Sequence, residues 1–139
     1  MIVSSKGRYA LIVMIDLARH KDEGYIPLRE IAQRQRISEK YLESILRELV
    51  KNGLLSGIRG KGGGYKLVRS PEEYTAWDII SVAEEGISTV ACLEMNGQVH
   101  CPNAAACDTL PMWKDFSKTI HDFFSGYTLA ELAKVDAAI

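Results

Sequence analysis

The chain has 139 residues, of which 47% are hydrophobic and 25% charged, with a formal net charge of -1. That is the balance of one globular unit, or a small domain with an appendage, rather than of a disordered tail. With no run of eighteen apolar residues and no basic segment leading into a long apolar one, neither a membrane span nor a signal peptide is expected, and the expected location is the cytoplasm. Three cysteines, an odd number, argue against a disulfide framework and leave metal binding, redox sensing or core packing.

The charge is divided unevenly. Residues 1–70 hold 14 Lys and Arg against 7 Asp and Glu, whereas residues 71–139 hold 3 against 11. A basic half of this kind suits a phosphate backbone, from which neutralising side chains release counterions, and an acidic half would be kept away from it.

In chain order, Ser4 or Ser5 can cap a first helix running to about His20, whose apolar members Tyr9, Leu11, Ile12, Val13, Met14, Ile15 and Leu17 leave few polar positions. Lys21 to Tyr25 reads as a turn. Pro27 precedes a short helix from Leu28 to about Gln35, with Ile31 and Ala32 facing inward. The link Arg36-Ile37 leads directly to Ser38, an N-cap for a helix whose residues Tyr41, Leu42, Ile45, Leu46, Leu49 and Val50 fall on one stripe. Opposite that stripe lie Lys40, Ser44, Arg47 and Lys51, with Glu43 at the edge. Gly53 stops the helix. Two short apolar runs, Leu54 to Ile58 and Tyr65 to Val68, then flank Arg59, Gly60, Lys61 and three glycines, the pattern of a hairpin with a basic tip.

Two helices joined by so short a link, the second basic on its outer face and followed by a hairpin, make a winged helix-turn-helix that reads the major groove of double-stranded DNA. Either feature alone is also what an ordinary charged surface helix or a flexible turn looks like. A nucleotide-binding loop is disfavoured, because those glycines lie between strand and helix and here they lead into a strand.

Downstream, Ser70-Pro71 and Thr75-x-x-Asp78 are start signals, the latter for a helix from Ala76 to Glu85 closed by Gly86, whose Trp77, Ile79, Ile80 and Val82 are expected on the winged core. From Ile87 to Leu110 the helical pattern stops, and all three cysteines, Cys92, Cys101 and Cys107, fall in this stretch. A connection that long needs something to organise it. From Met112 a helix carries Trp113, Phe116, Ile120, Phe123, Phe124 and Tyr127 on a narrow stripe, which suits one partner helix in a symmetric dimer or, alternatively, packing on its own domain. Thr128-x-x-Glu131 caps a brief last helix.

With SSKGRYAL at the start, ISEKYLESIL before NGLL, IRGKGGGYKL in the hairpin, AWDII, and three loop cysteines before a long helix, the chain resembles the IscR-type winged-helix regulators over nearly its whole length. That family includes nitric-oxide-sensing and cysteine-metabolism regulators. The resemblance implies a mainly α fold with a small β-hairpin wing: a DNA-binding domain over 1–86 (helix-turn-helix about 28–51, wing 54–68), a cluster-binding loop over 87–110, and a dimerisation helix with a short last helix over 111–139. It further implies a homodimeric bacterial transcription factor, not an enzyme, with an iron-sulfur cluster of the 2Fe-2S type on Cys92, Cys101 and Cys107, controlling cluster biogenesis genes. Thiolates are the preferred ligands of such clusters, whereas structural zinc favours Cys-x2-Cys pairs, and the gaps here are wider.

The resemblance also assigns major-groove roles to Lys40, Glu43, Ser44 and Arg47 on the helix that starts at Ser38, and minor-groove insertion to Arg59 with Gly60 on the wing. Ser38 and Lys61 are counted with these DNA-binding residues, and Lys51 is expected to contact phosphate. Glu43, a carboxylate facing DNA, is implied to separate target classes; its ordinary alternative is an ion pair with Arg47 one turn on. This chain departs from the pattern twice. Leu110 stands where the family places a ligating histidine, leaving Asp108, His100, Glu94 and His121 as chemically able fourth ligands, and Arg8 stands where some relatives draw a carboxylate from the first helix. Two rivals remain: a cluster-free thiol redox, nitric oxide or cysteine-metabolism regulator of the same fold, and an enzyme with a cysteine nucleophile and His100 or His121 as base.

Overall fold

The structure, a computed structural model, describes residues 3–84 and 87–134. Helix α1 (Ser5–Arg19) starts at Ser4, whose side chain accepts from the Gly7 amide, and ends one residue before His20. Its Ala10, Val13, Met14 and Leu17 are fully buried, so α1 runs through the middle of the core. Helix α2 (Leu28–Gln35) turns into α3 (Glu39–Lys51) through Arg36, the one described non-glycine residue with positive φ, at 55°. That left-handed residue lets the Ile37 amide reach back to the Ala32 carbonyl at 3.1 Å, closing α2 and redirecting the chain within two residues.

Helix α3 buries Leu42, Ile45, Leu46 and Leu49 as its periodicity predicts. Gly53, with φ 76°, follows it and leads into β1 (Leu55–Ile58), which pairs antiparallel with β2 (Gly64–Leu67). The first strand starts one residue after its predicted run, and the second is shifted one residue toward the N-terminus at both ends. Beyond the wing, Ser70 and Thr75 each form reciprocal capping boxes, Thr75 opening α4 (Ala76–Ala83). The predicted end of that helix at Glu85 and Gly86 lies outside the described residues.

Of the four α4 residues expected on the winged core, Ile79 and Val82 pack there. Trp77 instead meets His121 of α5 (Leu110–Ser125) edge to face, with centroids 4.9 Å apart. Ile80, although buried, is outside that core cluster. A helix placed between two others presents apolar groups on both sides, so its apolar residues divide between two neighbours. Helix α5 begins at Leu110, two residues before the predicted Met112, because Pro111 is tolerated in a first turn whose amides need no helical acceptor. Helix α6 (Leu129–Lys134) opens with the predicted Thr128 and Glu131 pair and packs on α1.

Candidate nucleic-acid interface and cysteine loop

On α3, Lys40, Glu43, Arg47 and Lys51 are all exposed, as the polar face of an amphipathic helix must be. The Arg47 guanidinium lies 3.4 Å from the Glu43 carboxylate, so the ion pair anticipated for Glu43 is present. Both partners stand largely in solvent, where such a pair is weak enough to open for another ligand. Two predicted contacts are already engaged locally: Ser38 Oγ accepts from the Tyr41 amide as the N-cap, and Ser44 Oγ donates to the Tyr41 carbonyl at 2.6 Å.

Between α3 and the wing runs a cleft lined by Glu43, Arg47 and Val50 on one side and Gly57, Ile58, Arg59 and Tyr65 on the other. It brings together Glu43, Arg47 and Arg59 from the predicted site. Lys40, Lys51 and Lys61 are exposed and do not line it. Backbone conformation and close approach favour glycine on the wing. Gly60 and Gly62 have φ of 90° and 77°, and at Gly64 a Cβ would come within 2.2 Å of the Ile26 carbonyl oxygen.

The N-terminus of α1 adjoins this surface. Tyr9 meets Tyr41 of α3 edge to face at 5.8 Å. At the far end of α4, Glu84 accepts from both the Ser4 amide (2.9 Å) and the Ser4 hydroxyl (2.7 Å), tying the start of α1 to the residue just ahead of the cysteine stretch. Neither contact was legible in the sequence, since no periodicity links positions 4 and 84.

The cysteine stretch is organised although it has little regular structure. Leu93, only 1% exposed, pegs it to the protein, and isolated bridges pair Leu93 with Val90 and Val99. Thr89 and the buried Ser117 of α5 share a hydrogen bond at 2.6 Å. The Cys92 carbonyl accepts from the His100 amide, the Cys101 carbonyl from Ala104, and the Ala104 carbonyl from Cys107, so backbone bonds string the three cysteines along one set of turns. All three are free thiols and half-buried, which removes the reading of cysteines as small core hydrophobes. Thr109, through its hydroxyl and its amide, holds the Cys107 thiol below the ordinary cysteine range.

Of the four possible additional ligands, Glu94 and His100 are paired with each other at 2.5 Å, which holds the Glu94 carboxyl below its usual range, and His121 is taken up by Trp77 and Asp122. Among the described residues no three His, Cys, Asp or Glu side chains are gathered closely enough to hold a metal ion. The chemistry of the donor set, three half-buried free thiols on linked turns, nevertheless fits a thiolate-ligated cluster. The turns would have to tighten around it.

Comparison with known proteins supplies the context. Residues 3–135 match the Rrf2 family, described as iron-dependent transcriptional regulator. The HTH-type transcriptional regulator IscR of Pectobacterium carotovorum subsp. carotovorum is 42% identical over 132 residues, covering 95% of this chain and 79% of that protein. Among solved structures, CymR, the global cysteine regulator of B. subtilis, superposes with a TM-score of 0.77 at 37% identity, covering 98% of this chain and 99% of that one. T. potens IscR gives 0.74 at 35%, covering 96% and 87%. Among the described residues no helix is long and apolar enough to cross a membrane.

Proposed function

Because the chain belongs to the Rrf2 family of iron-dependent transcriptional regulators, we propose that it is a homodimeric repressor that binds promoter DNA, holds an iron-sulfur cluster on Cys92, Cys101 and Cys107, and controls cluster biogenesis genes according to cluster status. The observation that carries the DNA part is the cleft that sets Glu43 and Arg47 of α3 against Arg59 of the wing, in the half of the chain where positive charge is concentrated. In this reading α3 enters the major groove, Arg59 the minor groove, and Lys40, Lys51 and Lys61 hold phosphates around them.

The cluster part rests on the three accessible thiols and on the IscR relatives. When bound, a cluster supplies a link between three thiolates that oxidants and iron shortage can break. The chain's own residues convert that link into a signal. Cys92 precedes the buried peg Leu93, and Cys107 lies three residues before α5, so drawing the thiols together strains a segment fastened at Leu93 and Thr89 and followed by a long helix.

Iron and acid-labile sulfide analysis of anaerobically purified protein, with its absorption spectrum, tests this directly. Stoichiometric iron and sulfide that vanish in a Cys92→Ala/Cys101→Ala/Cys107→Ala chain are expected. Protein free of iron that still binds its operator, with thiols that pair on oxidation, would instead favour a thiol-based regulator. The three free thiols and the likeness to a cysteine regulator speak for that second reading.

A further inference from the structure

The wing is braced from behind by a side chain that none of the proposed DNA contacts uses. A two-stranded hairpin is marginally stable alone, and this one has a tip rich in glycine, so whatever fixes its direction must act at its base. Ile26 exchanges both amide-to-carbonyl hydrogen bonds with Tyr65, each 2.9 Å, adding a single-bridge third strand beside β2. In antiparallel register the residue before Ile26, Tyr25, stands across from Lys66, and Lys66 stands across from Ser56 of β1.

Tyr25 spans that whole row. Its hydroxyl shares a 3.0 Å hydrogen bond with Ser56 Oγ, and the Lys66 ammonium lies 4.6 Å from its ring centroid, so one side chain grips both strands. The row alternates with Gly57 and Tyr65, which line the cleft toward α3, and therefore belongs to the opposite face of the hairpin. At Gly64 the Ile26 backbone approaches too closely for any Cβ, so the third strand is seated firmly against the wing.

We propose that Tyr25 is a positioning residue for DNA recognition: it sets the pitch of the wing against α3 and so presents Arg59 to the minor groove. This rests on the reading of the wing as a DNA contact. An arginine held ready loses less freedom on binding than one on a loose hairpin, and the gain appears as affinity without any new contact to DNA.

The test is a double-mutant cycle on a duplex selected by the wild-type chain from random DNA, with hydrogen exchange of the free protein alongside. Tyr25→Ala is expected to weaken binding about five- to tenfold in the wild-type background and less than about twofold beside Arg59→Ala. Its salt dependence should be unchanged, since no phosphate contact is lost. Tyr25→Phe, keeping the ring under Lys66, should fall between. In the free protein, Tyr25→Ala should speed amide exchange across 55–67 and leave α3 alone. Equal losses in both backgrounds would overturn the positioning role, and unchanged exchange in the wing would overturn the brace. If Arg59→Ala itself kept full affinity, the DNA reading of the wing would fall and the positioning of Arg59 with it, a result distinct from either of the others.

Discussion

At Tyr74 the irregular backbone around the wing converges on one phenol. It is fully buried; its hydroxyl donates to the Leu54 carbonyl at 2.8 Å and accepts from the amides of Val68 and Arg69 at 3.0 and 3.1 Å, while the Arg69 guanidinium covers its ring. These bonds close both ends of the hairpin onto the helical core. Tyr74→Phe preserves the packing and leaves these backbone groups without their partner, so a loss of about 2–4 kcal/mol is expected in urea unfolding. Asp16 is a second such node, 3% exposed, accepting from Arg34 at 3.0 and 2.6 Å and from Gln35 at 2.7 Å. Its carboxylate holds the Arg34 guanidinium above even its usual range and locks α2 to α1.

At the scale of the element, the wing depends on close approach more than on strand propensity. Gly64→Ala forces a Cβ into the Ile26 backbone at a positive φ of 149°, and no side chain can give way to relieve it. A loss of about 2–4 kcal/mol, or a wing that no longer pairs with Ile26, is expected by thermal unfolding and amide exchange. Helix α3 and the wing should also fail differently on DNA. Under the proposed function, Arg59→Ala should cost about 1–3 kcal/mol of operator affinity, whereas Lys51→Ala, an exposed cation at the helix end, should mainly lower the salt slope by about one unit. Titrations at several salt concentrations separate them, and an Arg59→Ala chain with unchanged affinity would remove the wing from recognition.

For the whole molecule, the aromatic stripe of α5 is the conspicuous unfinished surface. Phe116, Phe123 and Tyr127 are 42%, 59% and 45% exposed and Met112 is 53% exposed, while Trp113, Ile120 and Phe124 are half-buried. Large apolar groups exposed along one helix call for a partner, and in the proposed dimer it is a second copy. Phe116→Glu with Phe123→Glu should yield monomers in light scattering; a persistent dimer would move the seam elsewhere. The same dimer would carry the cysteine signal to two α3 helices. Glu43 opposes bound phosphate and can accept from a cytosine amino group, so anaerobic cluster-loaded protein and the triple Cys→Ala chain should differ most on sites that confront this carboxylate, and Glu43→Ala should narrow the difference. Identical operator preferences for the two forms would separate the cysteines from DNA recognition.

Elements whose information is local are legible in the amino-acid sequence. Helical periodicity and caps at Ser4, Ser38, Thr75 and Thr128 placed the helices within a few residues, and glycine with positive charge marked the wing tip, because each signal lies within a turn or two of what it specifies. Which side chains meet across the chain is a matter of tertiary packing. Asp16 finds Arg34, Glu84 finds Ser4, Tyr25 finds Ser56 and Lys66, and Trp77 turns from the winged core to His121. The left-handed turn at Arg36 belongs with them, since an arginine carries no local mark of the conformation that the packing of α2 on α3 imposes. Partners so far apart in sequence leave no periodic trace, and their pairing follows from how the buried faces of α1, α3 and α4 close on one core.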